Sequence, residues 1–342
     1  MRARPIVGSP VRRMSRGRRV AVSILAISLA GYLVGGDGHP ALAYLTDTET
    51  VAATLSTAAC FSADNVPPAV SSTVISKTTP YLPGFIRQGG TYFVYANVAD
   101  AGCVPSGIAT VRANVSTVTT GQTAVALVPG AYSVGGVAYN YRSASITANA
   151  ALAAGAKAYS ITSTDNAANS QTQTGYSVTV DNTRPTGSTV QTANGGPTAG
   201  KPEAGDSATY TFSEAIDPET VLAGWTGAST NVVVRIANNA GGDLLTIRNA
   251  ANSAQLPLGS VDLIGTAYVT ANRDFGATGT ASTMVLSGAT ITITLGTPSG
   301  ATGTQATTGT MAWTPTATVT DRAGNTCMTT VANETGAADV EF

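Results

Sequence analysis

The chain holds a single histidine among its 342 residues, His39, and that one lies in an N-terminal stretch with the marks of a leader. The remainder therefore lacks the imidazole that a Ser-His-Asp triad, a Cys-His pair, an HExxH zinc site or a neutral-pH histidine base requires. Charge is scarce too, at 11% of residues, and the lysines and arginines beyond the leader stand singly. Phosphate backbones are bound by clustered cations, so nucleic acid is not an expected partner. No apolar run after the leader reaches the roughly 20 residues of a spanning helix, so no membrane span is expected there. The two tryptophans, Trp225 and Trp313, leave little material for a ring-lined sugar cleft. No serine stands in a G-x-S-x-G elbow, and the glycine-rich stretches GATGT and GTPSGATGT lack a P-loop lysine. No catalytic residue and no cofactor is assigned, and the chain reads as non-enzymatic.

What is present begins with an address. Residues 1–19 carry seven arginines and no acid; an apolar run of fifteen residues, Val20 to Val34, follows, and then Ala41-Leu42-Ala43. A basic region, a short apolar region and an A-x-A site describe a secretory signal peptide over residues 1–43, with cleavage between Ala43 and Tyr44. The alternative is an uncleaved anchor, for which fifteen apolar residues are short. Cleavage removes seven arginines and Asp37, leaving 299 residues with 11 basic and 18 acidic side chains, a net charge of −7. The expected product is an acidic protein of the oxidising exterior, secreted or held at the cell surface.

Thr, Ala, Gly, Ser and Val dominate that product, and strand-like runs recur about every ten residues, among them TYFVYANV (91–98), YSVTVD (176–181), NVVVRI (231–236), TITITL (290–295) and TATVTD (316–321). Gly, Pro, Asn and Asp punctuate them. Short alternating runs with turn signals indicate an all-β fold built of β-sandwiches. A single helical turn is expected near Asp217–Leu222, opened by Asp and Pro. Two similar opening segments, Asp64-Asn65-Val66-Pro67-Pro68 and Asp181-Asn182-Thr183-Arg184-Pro185, divide the chain into an extended segment at 44–65 and tandem domains at 66–183 and 184–342. A second repeat supports the division: Thr164-Asp165-Asn166-Ala167-Ala168-Asn169 and Thr320-Asp321-Arg322-Ala323-Gly324-Asn325 each follow an alternating run. Both suit a tight turn in which Asp and Asn bond back to the local backbone.

The pattern strand, D-x-A-x-N, strand, D-N-T-x-P-T resembles the ends of bacterial Ig-like domains, which are strung together in secreted adhesins and surface-layer proteins. Ala168 departs from that family's usual glycine, whereas Gly324 keeps it. The segment Thr209 to Pro218, TYTFSEAIDP, is similar to the opening strand of a related bacterial Ig-like type. Tyr44-Leu45-Thr46-Asp47 after the A-x-A site resembles the junction of exported TasA-like biofilm fibre subunits. The resemblances imply a structural or adhesive protein of the cell surface or matrix, with surface or matrix components as partners, or copies of itself.

Three cysteines invite one disulfide, and Cys60 with Cys103 is the expected pair, which leaves Cys327 free, buried, or bonded to another molecule. Asp181 and Asn182 at the junction, with Asp165 and Asp321 in the repeated turn, are candidate calcium ligands, because hard oxygens suit that ion; plain turn chemistry is the competing account. Glu214, Asp217 and Glu219 form the densest acidic group, which reads as a solvated loop with Asp217 as an N-cap; the competing account is a histidine-free glycoside hydrolase using Glu214 and Asp217 as paired carboxylates. Tyr92, Tyr95, Tyr132, Tyr139 and Tyr141 concentrate in the first domain. They either fill a core or present a face to glycans, and the second option makes a secreted carbohydrate-binding module the alternative function.

Overall fold

The computed structural model describes residues 63–77, 82–102 and 104–342. The expected leader, the Ala43–Tyr44 cleavage point, the TasA-like junction, Cys60 and Cys103 lie outside the described residues. The described chain is nearly all β. Its first nine strands are β1 (Ala69–Ser76), β2 (Phe85–Ile86), β3 (Thr91–Ala99), β4 (Ile108–Asn114), β5 (Val125–Val134), β6 (Val137–Ser143), β7 (Ile146–Thr147), β8 (Gly155–Asp165) and β9 (Ser170–Val180). They form one sheet in the order β1-β3-β6-β5-β4-β8-β9-β2, with β7 also on β3.

Ten more strands follow: β10 (Gly187–Ala193), β11 (Ser207–Phe212), β12 (Thr230–Ala237), β13 (Leu244–Asn249), β14 (Gln255–Asp262), β15 (Arg273–Phe275), β16 (Ser282–Ser287), β17 (Thr290–Thr294), β18 (Ala312–Thr314) and β19 (Ala332–Asn333). Their sheet runs β10-β11-β17-β16-β12-β13-β14-β18-β19, with β15 on β12. Pairing is antiparallel except where β2 lies parallel to β9. Each sheet curls until its ends approach: β1 lies against β8 and β9, and β10 against β18 and β19. The closure is barrel-like and shields edges that would otherwise present unpaired backbone groups.

Alternation explains the individual strands. Tyr92, Val94, Ala96 and Val98 of β3 enter the first core, while Tyr95 turns to a smaller cluster with Val134 and Tyr139 on other strands. In β11, Ala208, Tyr210 and Phe212 are buried between half-exposed Ser and Thr, the period-2 pattern of a strand with one dry face. Trp313 anchors the second core. Its ring meets Tyr210 and Phe212 edge-on, with centroids at 5.2 and 5.0 Å, and its Nε1 donates to the Leu258 carbonyl at 2.7 Å. Gly187 permits this packing, since a Cβ there would stand 2.9 Å from the Trp313 ring and from Pro315.

Two expectations change in detail. The run 316–321 forms isolated bridges, Thr320 with Thr326 and Ile216 with Asp321, in place of a strand. Its neighbour is the 3₁₀ turn Pro218–Thr220, whose Thr220 hydroxyl accepts from Thr320 N, so no regular ladder can extend there. Asp217 does cap that turn, with Oδ1 accepting from Glu219 N at 3.2 Å. It is nonetheless buried, at 1% exposure, so the acidic group is not a solvated loop. Among the described residues no helix is long and apolar enough to cross a membrane.

Candidate functional site

The repeated D-x-A-x-N turn builds the same device twice. Asp165 accepts from the backbone and side-chain nitrogens of Asn169, at 2.8 and 2.7 Å. Asp321 does the same with Asn325, again at 2.8 and 2.7 Å, and also accepts from Gly324 N. Each asparagine then reaches the opening segment of its own sheet: Asn169 Nδ2 donates to the Asp64 carbonyl, and Asn325 Nδ2 to that of Asp181. The fourth position of the turn is left-handed in both copies, φ 67° at Ala168 and 92° at Gly324.

Around each turn three carboxylates converge, with ligand-capable oxygens within 4.8 Å of one another: Asp64, Asp100 and Asp165 in the first, and Asp181, Glu214 and Asp321 in the second. One acid comes from the opening segment, one from just beyond β3 or β11, and one from the turn. Asp64 accepts from Val66 N and Ser106 N; the bonds from Ser106 do most to hold its carboxyl below the usual range. Asp100 Oδ2 accepts from Gly107 N, but its Oδ1 is buried without a partner. The second cluster repeats that feature, with Glu214 Oε1 buried and unpartnered. Burial first, then the charges of Asp181 and Asp321, push Glu214 up to about 7, and burial raises Asp321 as well. Such a set of hard oxygens matches the chemistry of a calcium ligand shell.

The four calcium candidates therefore separate. Asp181 and Asp321 meet, and Asp165 belongs to the other cluster. Asn182 joins neither: its Oδ1 accepts from Gln88 N and its Nδ2 donates to the Leu152 carbonyl, which ties the segment between the sheets to the first one. Sequence reasoning missed the parts played by Asp64, Asp100 and Glu214. The matched opening segments already paired Asp64 with Asp181, whereas Asp100 and Glu214 differ in type and context and carry no shared motif.

The second cluster sits where the sheets abut. Lys77, just after β1, pairs with Asp217 at 2.6 Å. Arg322 of the turn lies over the Phe85 ring at 5.4 Å. Arg184 donates to the carbonyls of Thr326 and Cys327. The connecting segment is thus bonded to the first sheet through Asn182 and to the second through Asp181 and Arg184.

The remaining candidates lie elsewhere. Glu214 turns toward Asp181 and Asp321 while Asp217 turns to Lys77, so the two acids face different partners. Trp225 and Trp313 are buried, as are Tyr92, Tyr95 and Tyr139. Cys327 is a free, fully buried thiol that donates to the Met328 carbonyl, and burial pushes it up to about 11. A shallow open groove is lined by Pro197, Lys201, Glu203, Pro298 and Thr302, with Lys201 and Glu203 paired at 2.6 Å. No protein-family model matches the sequence, and no curated protein matches it.

Proposed function

We propose that this chain is an exported, non-enzymatic structural or adhesive protein of the bacterial surface or matrix, built of two Ig-like domains at 66–183 and 184–342 and stiffened by calcium. The observation that carries the reading is the duplicated acid bracket, which ties the opening segment of each sheet to a turn of the same sheet. A device at the head of each unit, with one copy at the seam, suits a tandem whose purpose is to transmit load or display loops at a fixed angle. Strand order supports the Ig-like assignment. In the second sheet β10-β11-β17-β16 has the A-B-E-D order, and in the first β4-β8-β9 has the C-F-G order. The basic, apolar and A-x-A segments of residues 1–43 support export.

The test is fractionation of producing cells, with the N-terminus and native mass of the recovered chain measured in calcium and in chelator. The expected form starts at Tyr44, lies in the medium or on the surface, and binds matrix or itself in calcium. Confinement to the cytoplasm would overturn the reading. Phe93 and Tyr132, half-exposed around Arg142 at 4.8 and 4.5 Å, favour a second reading, a carbohydrate-binding face. A glycan array without saturable signal would remove it.

A further inference from the structure

A third acidic group lies far from the repeated turns, where segment 332–342 folds back on the second sheet. Glu334 follows β19, donates through its N to the Met311 carbonyl and accepts from Met311 N. Asp339 bridges Gly309 through both backbone bonds. The Glu341 backbone N donates to the Tyr268 hydroxyl at 2.9 Å, and the Phe342 ring stands edge-on to Tyr268 with centroids at 5.9 Å. These bonds place the carboxylates of Glu334, Asp339 and Glu341 within 4.8 Å of one another.

The burial of these groups is costly as it stands. Glu341 is 1% exposed and Glu334 8%. Glu341 Oε2 accepts from the Thr192 hydroxyl, but its Oε1 is buried and no donor reaches it, while the side chain stands beside Glu334 and Asp339. Among the described residues no lysine or arginine pairs with any of the three acids. A buried carboxylate without a counter-charge is neutralised by a proton or by a cation.

We infer that Glu334, Asp339 and Glu341 form a divalent-cation site, with calcium as the fitting ion, that fastens segment 332–342 to the second sheet. A proton joins two oxygens, whereas here three carboxylates converge. The third, Asp339, is exposed and leaves a path from solvent. Calcium binds oxygens at about 2.3–2.6 Å, so oxygens sharing one ion stand no more than about 5 Å apart, a limit the three acids satisfy. The absence of histidine and cysteine from the cluster disfavours softer metals.

The test is calorimetric titration of the full mature chain with calcium chloride, alongside Glu341→Gln, Asp339→Asn and Glu214→Gln. Glu341→Gln is expected to lose one equivalent of bound calcium while unfolding in chelator no more easily than wild type. Asp339→Asn, at an exposed position where folding is not at stake, should weaken the same equivalent at least tenfold. Glu214→Gln reports the seam cluster separately, so failure there leaves this site standing. If both Glu341→Gln and Asp339→Asn bind calcium as wild type does, the inference is overturned and a shared proton holds Glu334 and Glu341.

Discussion

Replacing Glu214 by Gln should stabilise the protein in chelator and give up that advantage in calcium. In chelator at pH 8 the three carboxylates of the seam cluster are all driven toward ionisation, and Glu214 resists, being raised from 4.5 to about 7. A gap of that size corresponds to about 3 kcal/mol. The side chain is partly exposed, so screening reduces the usable figure to about 1–2 kcal/mol. Gln keeps the shape and removes the charge, and the variant should be more stable than wild type by that amount. With calcium that advantage is offset. Extracellular modules bind calcium at about 10⁻⁴–10⁻³ M, so roughly 10 mM calcium stabilises by about 1.4–2.7 kcal/mol, or about 3–10 °C in Tm. The variant forfeits most of this gain. Thermal unfolding of both proteins in chelator and in calcium measures all four values. The pH dependence carries the same signature. A carboxyl raised in the folded state contributes its full stabilisation below the unfolded value of 4.5 and loses it as pH rises through about 7, so ion-free wild type should weaken across that window and Glu214→Gln should not. A Glu214→Gln protein that is less stable in chelator, with an undiminished calcium shift, would refute the reasoning.

Three further outcomes are expected. Ala168→Gly should stabilise by about 0.5–1 kcal/mol, because the left-handed φ of 67° strains an L-residue; Gly324→Ala should cost about 1 kcal/mol through strain alone, its nearest neighbour being Lys77 Cδ at 3.4 Å, and urea unfolding reads both. Lys77→Met leaves the buried Asp217 without its cation and should cost roughly 3 kcal/mol, whereas a loss under 0.5 kcal/mol would mean that the seam pair contributes nothing. Cys327 should resist alkylation in the folded protein and react fully in denaturant, as peptide mapping by mass would show, since its thiol is buried and raised to about 11.

Much of the candidate site was legible as a repeat and little of it as a constellation. The turn could be read directly because its bonds are local: Asp165 to Asn169 and Asp321 to Asn325 span four residues, and any chain with those types at that spacing can close them. Asp181 and Asp321 were named together because they mark recurring phrases. Glu214 was read as part of a local acidic group with Asp217 and Glu219, but neighbours along a chain need not face one site. β11 ends at Phe212, and the chain then turns to send Glu214 to the seam and Asp217 to Lys77, 140 positions away.

Composition and period determined what could be decided locally: a β-rich chain, its punctuation, the capped turn at Asp217 and the twin turns with their asparagines. Those follow from backbone preferences and hydrogen bonds within a few residues. Only the tertiary structure decided the barrel-like closure of each sheet, the packing of Trp313 between Tyr210 and Phe212, and the choice of a third acid for each cluster. These depend on which strands lie side by side, and pairing between segments a hundred or more residues apart is set by the burial of whole faces, a property no local window of sequence contains.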